Sequence, residues 1–375
     1  MIYLDNAATS LLKPPEVARA MLHAMRTMAS PGRGGHEPAA LAAETAYKCR
    51  EELSQFFHAP GPEHVAFTMN ATHALNIALN TLVRAGDRVV ISGYEHNAVT
   101  RPLHMLGADI DVARSPLFDQ PAALEAFRAK LPGARCCVCT HVSNVFGFVL
   151  PVEGIAELCR EQGVPFVLDA SQSAGVLPVD MEYLGAEFVA MPGHKGLLGP
   201  QGTGVLLCRG RAEPIMAGGT GSESRSQSMP QSLPDALEAG THNIPGIAGL
   251  LAGLRYVERC GLEAIDSRER ALKALMCRRL EAAPGLEVFA SDGAQAGVLS
   301  VRSRAMGSEE LAAALAEKGV AVRAGLHCAP LAHESAGTIE GGTVRFSFSP
   351  FNNAREVERA AAALAGILKM SPQGR

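Results

Sequence analysis

The chain has 375 residues, of which 47% are hydrophobic and 19% are charged. This composition excludes an intrinsically disordered chain, because so much apolar surface can be buried to offset the loss of chain entropy. Thirty-four basic residues against 38 acidic ones give a net charge of −4, which argues against a protein that binds nucleic acid or anionic membranes. At this length we expect a large domain accompanied by a smaller one.

Neither a membrane span nor an export signal is predicted. The sequence contains no apolar run of the roughly 18 residues that a spanning helix needs. The opening residues, MIYLDNAATSLLKPPE, carry no basic segment followed by an apolar stretch, so we expect no secretory signal. Nine cysteines are too sparse for a disulfide scaffold, and we expect them to be reduced thiols in a cytoplasmic protein.

Strands and helices alternate through the first part of the chain. Apolar, β-prone runs predict strands at Val65–Thr68, Arg88–Ser92, Cys136–Thr140, Phe166–Asp169, Phe188–Met191 and Gly204–Cys208. Helical patterns lie between most of them, at Pro38–Phe57, Thr72–Val83, Pro121–Lys130 and Val152–Gln162. This alternation predicts an α/β domain whose mostly parallel sheet is covered on both faces.

From about Ile244 the pattern changes to that of a smaller α+β domain. Helices are predicted at Ile244–Cys260, Glu263–Ala283, Ser308–Lys318 and Ala354–Leu368, and strands at Leu286–Phe289, Val298–Arg302, Val320–Arg323 and Thr343–Phe348. We therefore predict a large domain over residues 16–250 and a small domain over 251–375. Residues 1–15 are expected to form a segment that packs with the small domain. The Gly-, Ser- and Pro-rich stretch 217–234 is predicted to be a long loop.

Polar residues follow five of the predicted strands at the points where they end. In chain order they are Asn70, Ala71, Thr72 and His73; Glu95, His96 and Asn97; Ser143 and Asn144; Asp169 and Gln172; and His194 and Lys195. The carboxyl ends of parallel strands meet at one edge of the sheet, where ligands bind. Any one of these residues alone is more simply a helix cap, a turn residue or a surface group. Five such sets on one edge indicate a ligand site.

The residue types at this edge fit pyridoxal phosphate. That cofactor needs an amine for its aldehyde, a carboxylate for its ring nitrogen, a flat group over the ring and a cup for its phosphate. Lys195 is the candidate amine, because it alone of the seven lysines lies in an apolar, glycine-rich run, where desolvation lowers a lysine pKa. For the other six we expect solvated positions. Asp169 is the candidate carboxylate, and the helix start after Asn70 suits a phosphate.

A wider set of motifs surrounds these residues. They are Tyr3–Ser10, Asn70–Asn76, Glu95–Asn97, Ser143–Asn144, Asp169–Gln172, Gly193–Lys195, Glu238–Thr241, Arg323–Ala329 and Arg345. With them the chain resembles, nearly end to end, the class V aminotransferase superfamily, and within it the cysteine desulfurase and selenocysteine lyase group. The resemblance implies the aspartate aminotransferase-like fold (fold type I) of pyridoxal phosphate-dependent transferases, with a seven-stranded sheet in the large domain. It also implies a homodimer.

The resemblance assigns roles at the cofactor ring. Lys195 would hold the cofactor and move protons, and Asp169 would pair with the ring nitrogen. His96 would stack on the ring. Asn144 and Gln172 would contact the substrate side and the phenolic oxygen of the cofactor.

It assigns further roles at the phosphate and at the substrate. The residues expected to hold the phosphate are Ala71, Thr72 and His194. Thr241 would reach the phosphate of the partner subunit. Arg345 would bind the substrate carboxylate, with Arg323 nearby, and Cys328 would accept the sulfur.

The implied reaction converts L-cysteine to L-alanine and leaves the sulfur on Cys328 as a persulfide for an acceptor protein. The attacking group must be a thiolate, which His327 and Arg323 are candidates to stabilise because they are close in sequence. The remaining cysteines are expected to be mostly core residues. Cys136, Cys137, Cys139 and His141 could suggest a metal cluster, but alternation along a strand separates them, so we predict no metal site.

Three alternatives stay open from the sequence. The protein could be a selenocysteine lyase, another class V enzyme (an aminotransferase or lyase) with an incidental Cys328, or an inactive scaffold for sulfur transfer. The intact set of Lys195, Asp169 and His96 argues against a scaffold. Pro192 and His73 depart from the residues usual in the family, a Ser and often an acidic residue. Whether the sulfur serves iron–sulfur cluster assembly, RNA thiolation or selenium metabolism is likewise open.

Overall fold

The computed structural model describes residues 1–32, 34–281, 283 and 285–370. Its helices are α1 Pro15–Thr27, α2 Glu37–Phe56, α3 Ala71–Leu82, α4 Asn97–Met105, α5 Gln120–Lys130, α6 Val152–Gln162, α7 Met181–Leu184, α8 Ile244–Cys260, α9 Leu262–Leu280, α10 Ser308–Glu317, α11 Pro330–Ser335 and α12 Ala354–Met370. Its strands are β1 Ile2–Tyr3, β2 Val65–Thr68, β3 Arg88–Ser92, β4 Asp109–Ala113, β5 Cys136–Thr140, β6 Phe166–Asp169, β7 Phe188–Pro192, β8 Gly204–Cys208, β9 Leu286–Phe289, β10 Val298–Ser303, β11 Val320–Ala321, β12 Arg323–Gly325 and β13 Thr343–Ser347.

Seven strands form one large sheet in the order β2-β8-β7-β6-β5-β3-β4. Strands β3 to β7 are parallel to one another, and β8 runs antiparallel to both of its neighbours, β2 and β7. The predicted α/β fold with a mostly parallel sheet is therefore confirmed. Two strands and four helices had no prediction, namely β1 and β4, and α1, α4, α7 and α11. Strand β4 pairs only with β3 at the sheet edge, so its DIDVA sequence needs no continuous apolar run.

Both faces of the large sheet are covered, which explains why its strands are apolar throughout. In β5, Cys137 and Cys139 pack into a core layer that includes Ile155 of α6. Cys136 faces the opposite layer, which includes Leu75 of α3. Alternation along the strand thus separates the cysteines as predicted, and within the described ranges no group of His, Cys, Asp and Glu side chains is arranged to hold a metal ion.

The C-terminal part of the chain builds an antiparallel sheet in the order β12-β13-β10-β9. The predicted strand Val320–Arg323 divides in two, because β11 pairs in parallel with β1 whereas β12 pairs with β13. Ile2 and Leu4 lie in the same core as Phe346 of β13, which supports the proposed packing of the N-terminal segment with the small domain. Residue 250, the predicted boundary, lies inside α8.

Two lysines are less exposed than predicted. Lys273 is only 6% exposed, and its Nζ donates to the Gln295 side chain and the Ser291 carbonyl. Lys13 is half-buried against Ser10, and this burial lowers its pKa to about 8. Lys273 lies in a polar helical pattern, so only the packing of another segment, which carries Ser291 and Gln295, buries it. Within the described part of the chain, no helix has the length and apolar character to cross a bilayer.

Candidate active site

The carboxyl ends of the strands in the large sheet open into one cavity of about 490 Å³. Eight of the residues assigned to the cofactor line it: Ala71, Thr72, His96, Asn144, Asp169, Gln172, His194 and Lys195. Thr241, Arg323, Arg345 and Cys328 lie outside this lining. The strand ends of this sheet therefore bring together side chains that are far apart in sequence. Ala71 and Lys195, for example, are 124 positions apart.

Lys195 lies on the turn that follows β7, at the floor of the cavity. Burial is the main cause that lowers its pKa to about 8; Asp169 opposes this shift, and Arg345 and Arg323 add to it. A substantial share of this amine is therefore neutral near physiological pH. A neutral amine is the form that can attack an aldehyde carbon.

Asp169 and His96 line the same cavity from the end of β6 and the start of α4. Asp169 is buried at the end of β6, where its Oδ1 accepts from the Ser171 backbone N–H at 2.9 Å and its Oδ2 has no partner among the described residues. His96 caps α4, with Nδ1 accepting from the Ala98 N–H at 3.0 Å. Burial is the main cause that lowers the His96 pKa to about 4, so the ring is neutral. A neutral flat ring and a carboxylate thus line one cavity.

The start of α3 forms a cup for an anion. Asn70 caps the helix by accepting from the His73 N–H at 2.9 Å. The backbone N–H groups of Ala71 and Thr72 and the Thr72 hydroxyl have no acceptor among the described residues, and all three groups lie at the cavity wall. Free amides at a helix N-terminus bind phosphate, because the helix dipole adds to their hydrogen bonds.

The opposite wall carries His194 and Gln172. His194 Nδ1 lies 3.0 Å from the Thr9 hydroxyl, and burial lowers its pKa to about 4. Gln172 donates from Nε2 to the Ala7 carbonyl at 3.0 Å. Both side chains are thus held by the N-terminal segment, a contact that the sequence analysis did not predict.

Asn144 connects the cofactor cavity to the substrate-binding residues. Its Nδ2 donates to the His327 carbonyl at 2.9 Å, and its own carbonyl accepts from Arg345 Nη1 at 2.9 Å. Arg345 is 1% exposed, and its Nη2 donates to Asp5 Oδ1 at 2.6 Å, while its Nε has no partner in the described chain. Asp5 had been noted only as part of a motif, and its pairing with Arg345 was not foreseen.

Cys328 lies exposed on the loop between β12 and α11. Both His327 and Cys328 have positive φ, 52° and 56°, a conformation that is uncommon for non-glycine residues. The Cys328 carbonyl accepts from the Asn97 N–H at 2.7 Å, directly after His96. Hydrogen bonds from Asn97 and Asn144 therefore tie this loop to two segments that line the cofactor cavity.

Of the two groups expected to stabilise a Cys328 thiolate, only Arg323 is placed to do so. Its Nη2 lies 3.8 Å from the sulfur. His327 is buried and its ring stacks on His333, with centroids 5.7 Å apart. Burial lowers the His327 pKa to about 2, so the ring is neutral and supplies no positive charge. The expectation for His327 is corrected on this ground.

Thr241 lies in a separate cavity of about 790 Å³, with Met69 and His73 in its walls. The segment before it is anchored by Glu238, whose carboxylate accepts hydrogen bonds from Arg50 Nη1 at 2.8 Å and Nη2 at 2.5 Å. Glu238 also accepts from the Phe67 N–H of β2 at 2.6 Å. This buried ion pair had no counterpart in the sequence analysis, because its partners are 188 residues apart.

Glu95, which the sequence analysis placed at a strand end without a role, is fully buried beside His96. Its Oε1 accepts from the Ser92 hydroxyl and, at 2.8 Å, from the Thr140 N–H, while Oε2 has no partner. Burial raises the pKa of Glu95 to about 8. Glu95 thereby joins the ends of β3 and β5 as a largely neutral acid at neutral pH.

These observations fit pyridoxal phosphate. The cavity offers a partly neutral lysine, a buried carboxylate with a free oxygen, a neutral aromatic ring and a helix start with unpaired amides. These match the aldehyde, ring nitrogen, ring face and phosphate of the cofactor.

Comparison with known proteins agrees with this geometry. The family model described as aminotransferase class-V matches residues 2–360. A probable cysteine desulfurase of Pyrococcus abyssi is 33% identical, over 98% of this chain and 94% of its own. A cysteine desulfurase of Synechococcus elongatus is 31% identical over 98% of this chain and 60% of its own.

Solved structures give the same result. A cysteine desulfurase from Thermococcus onnurineus superposes with a TM-score of 0.89 at 31% identity, over 98% of this chain and 94% of its own. A cysteine desulfurase from Escherichia coli superposes with a TM-score of 0.85 at 26% identity, over 99% and 95% of the two chains. The chain belongs to the class V aminotransferase family.

Proposed function

We propose that this protein is a pyridoxal phosphate-dependent cysteine desulfurase, which converts L-cysteine to L-alanine and holds the sulfur on Cys328 as a persulfide. The observation that carries the proposal is the Cys328 loop. An exposed thiol beside Arg323 is hydrogen-bonded through its loop to Asn97 and Asn144, next to the cofactor cavity. Curated relatives that match nearly the whole chain bear the same activity in their names.

The residues described above would hold the cofactor as follows. Lys195 would bind its aldehyde, Asp169 would pair with its ring nitrogen and His96 would cover the ring. The amides of Ala71 and Thr72 would hold the phosphate. When bound, the cofactor would supply an electron sink that weakens bonds at the substrate carbons. Lys195 would be the base that takes the Cα proton, because its pKa of about 8 leaves part of the amine neutral near physiological pH.

Arg345 is the residue proposed to bind the substrate carboxylate. Its guanidinium group is fixed by the Asn144 carbonyl and by Asp5, and its buried Nε is unpaired. A carboxylate that reaches this group forms a charge-assisted hydrogen bond and competes with Asp5 for Nη2. Substrate binding is therefore expected to loosen the Asp5–Arg345 pair.

The sulfur step balances without an added oxidant. The Cys328 thiolate donates an electron pair to the substrate sulfur, so an Sγ–S bond forms. The Cβ–S bond breaks, and its electron pair stays with the carbon skeleton, which takes up protons and becomes alanine. Arg323, 3.8 Å from Sγ, stabilises the attacking thiolate.

The test is to assay alanine and sulfide together, with L-cysteine and a thiol reductant, for the wild type, Cys328→Ala and Cys260→Ala. Cys260 is the matched control, because it is another exposed free cysteine in the described chain. We expect Cys328→Ala to lose both products while its visible cofactor absorbance stays, and Cys260→Ala to keep wild-type rates. Sulfide release by Cys328→Ala at the wild-type rate would refute the assignment of the acceptor.

The same assay separates the other functions that the sequence left open. Keto-acid formation that survives in Cys328→Ala would indicate an aminotransferase. Faster turnover of L-selenocysteine than of L-cysteine would indicate a selenocysteine lyase. A folded preparation that takes up no pyridoxal phosphate would indicate an inactive scaffold.

We further propose that the active unit is a homodimer in which Thr241 completes the phosphate site of the partner. Supporting this, Thr241 lies outside the cofactor cavity of its own chain, in a cavity flanked by Met69 and Met216, which are 55% and 44% exposed. Apolar side chains exposed beside a polar recess are typical of an interface.

Subunit hybrids test this arrangement. Lys195→Ala and Thr241→Ala chains are co-expressed with different tags, and the mixed dimer is purified. If Thr241 acts across the interface, one site of the mixed dimer has both residues intact, and about half of wild-type activity returns. If Thr241 acts within its own chain, no site is intact and the activity stays at the Thr241→Ala level.

A persulfide on an exposed cysteine needs an acceptor, and we propose that a sulfur-acceptor protein docks over Cys328 in the cytoplasm. The exposure of Cys328, and of Leu326 beside it at 38%, supports a docking surface at this loop. A reducing compartment would keep the thiol available.

A further inference from the structure

A second cavity, of about 580 Å³, adjoins the cofactor cavity and shares Lys195 and Gln172 with it. One wall comes from α9, through Ile265 and Glu269. We call it the α9 cavity. Neither the cofactor nor the substrate residues described above account for Glu269.

Glu269 is a buried carboxyl group without a partner. It is 8% exposed, and its oxygens make no hydrogen bond with any described residue. The other buried glutamates near the active site differ, since Glu95 and Glu238 each accept backbone and side-chain donors. Burial, followed by the neighbouring Asp266, raises the pKa of Glu269 well above its ordinary value. A buried carboxyl group left unpaired is costly, so its retention beside a cavity calls for a ligand.

The local backbone is shaped around this carboxyl group. A Cβ at Gly297 would lie 2.6 Å from Cβ and 2.9 Å from Oε2 of Glu269, which is closer than such contacts allow. Gly297 also lines the α9 cavity. The absence of a side chain at position 297 therefore leaves the carboxyl group room at the cavity wall.

Three other polar side chains of the cavity, those of Asn6, Ser347 and Ser349, already use their hydrogen-bond donors within the protein. Both Nδ2 hydrogens of Asn6 are used, on the Ser347 carbonyl and on Asn352, which leaves its Oδ1. The Ser347 hydroxyl accepts from Ala7 and donates to Leu4, and the Ser349 hydroxyl donates to Asn352. Among Glu269, Asn6, Ser347 and Ser349, the side-chain atoms left unpaired are oxygens, which are complementary to a donor.

Much of the remaining lining is apolar. Val142, Val176, Leu198, Ile265 and Ala296 contribute to it, beside the polar residues Lys195, Gln172 and Ser10. A ligand that suits the cavity thus combines a donor for Glu269 with a hydrocarbon body.

We propose that the α9 cavity binds a small organic amine in its ammonium form, with an apolar body, whose N–H donates to Glu269. Because burial raises the pKa of Glu269, its protonated form is favoured in the empty cavity, and binding of the ammonium ion would release that proton to solvent. One O–H bond breaks and one proton is released, with no redox change. The cavity shares Lys195 and Gln172 with the cofactor site, but the test measures binding and does not depend on turnover.

The experiment is titration calorimetry on the cofactor-loaded enzyme at about pH 7, in two buffers with different heats of ionisation, which counts protons released on binding. The probe is N,N-dimethylbutylamine, a tertiary amine that cannot condense with an aldehyde. We expect binding with proton release. We expect n-hexanol, which lacks the charge, to bind weaker by about tenfold or more, the equivalent of one charge-assisted hydrogen bond.

Glu269→Gln should weaken amine binding by about tenfold or more and abolish proton release. Glu263→Gln is the matched control, because it makes the same substitution at an exposed position on the same helix and should change neither. If Glu269→Gln does not fold, the number of protons that the wild type releases on amine binding still tests the proposal. Binding without proton release, no measurable amine binding, or tighter binding of hexanoate than of the amine would each overturn the proposal.

Discussion

The buried ion pair between Arg50 and Glu238 should contribute far more to stability than an exposed pair on the same helix. The side chains of Arg50 and Glu238 are 10% and 3% exposed. In Arg50→Met, Glu238 keeps only the Phe67 N–H and a 3.3 Å contact with His242. Loss of one partner leaves a buried charge uncompensated, which costs about 3–5 kcal/mol.

Arg255→Met is the matched control. Arg255 pairs with Glu52 of α2, the helix that carries Arg50, but its side chain is 46% exposed. Solvent screens such a pair, so its loss should cost about 1 kcal/mol or less. Both substitutions replace an arginine with the same unbranched apolar side chain. The difference between them therefore reports the buried surroundings of Arg50, which include the Val65 carbonyl and the Phe67 ring.

The assay is urea denaturation followed by circular dichroism, because the chain has no tryptophan to report on unfolding. The double variant Arg50→Met, Glu238→Gln should regain part of the loss, since it removes the uncompensated charge. A midpoint for Arg50→Met that equals the midpoint for Arg255→Met would refute this reasoning. The reasoning would also be refuted if the double variant lost more stability than the sum of the losses in Arg50→Met and Glu238→Gln.

Three further predictions follow from the active-site geometry. Recombination of the cofactor-free protein with pyridoxal phosphate should accelerate as pH rises, with a midpoint near 8 that is set by the pKa of Lys195. Stopped-flow absorbance measures the rate of recombination. A midpoint near 10.5, the ordinary lysine value, would contradict the argument that burial lowers this pKa. Burial raises the pKa of Glu95 from 4.5 to about 8 in the folded protein, so the stability that its protonated form provides is lost as pH rises from 4.5 to 8. The urea midpoint of Glu95→Gln should therefore rise relative to that of the wild type over this pH range. A difference between the two midpoints that does not change with pH would contradict this prediction. Arg323→Met should slow alkylation of Cys328 by iodoacetamide at neutral pH, since it removes the cation 3.8 Å from the sulfur; mass spectrometry of the Cys328 peptide gives the rate, and an unchanged rate would exclude that role for Arg323.

The sequence by itself determined the large sheet and the residues at its edge. Strands buried on both faces are apolar throughout, so β5 and β6 were predicted with their observed bounds. Because parallel strands end at one edge, the sequence alone predicts Asp169 and Lys195 in one cavity. The edge strand β4 carries a weaker local signal and was not predicted.

Only the tertiary structure decided which groups are paired, neutral or buried. Arg345 and Asp5 are 340 residues apart in sequence, and no local pattern indicates their hydrogen bond. His327 adjoins Cys328 in sequence, yet burial keeps it neutral. Lys273 lies in a polar helical pattern but is buried by a distant segment. Periodicity reports the local environment of a strand or helix, whereas desolvation and charge pairing depend on every segment that packs around a group.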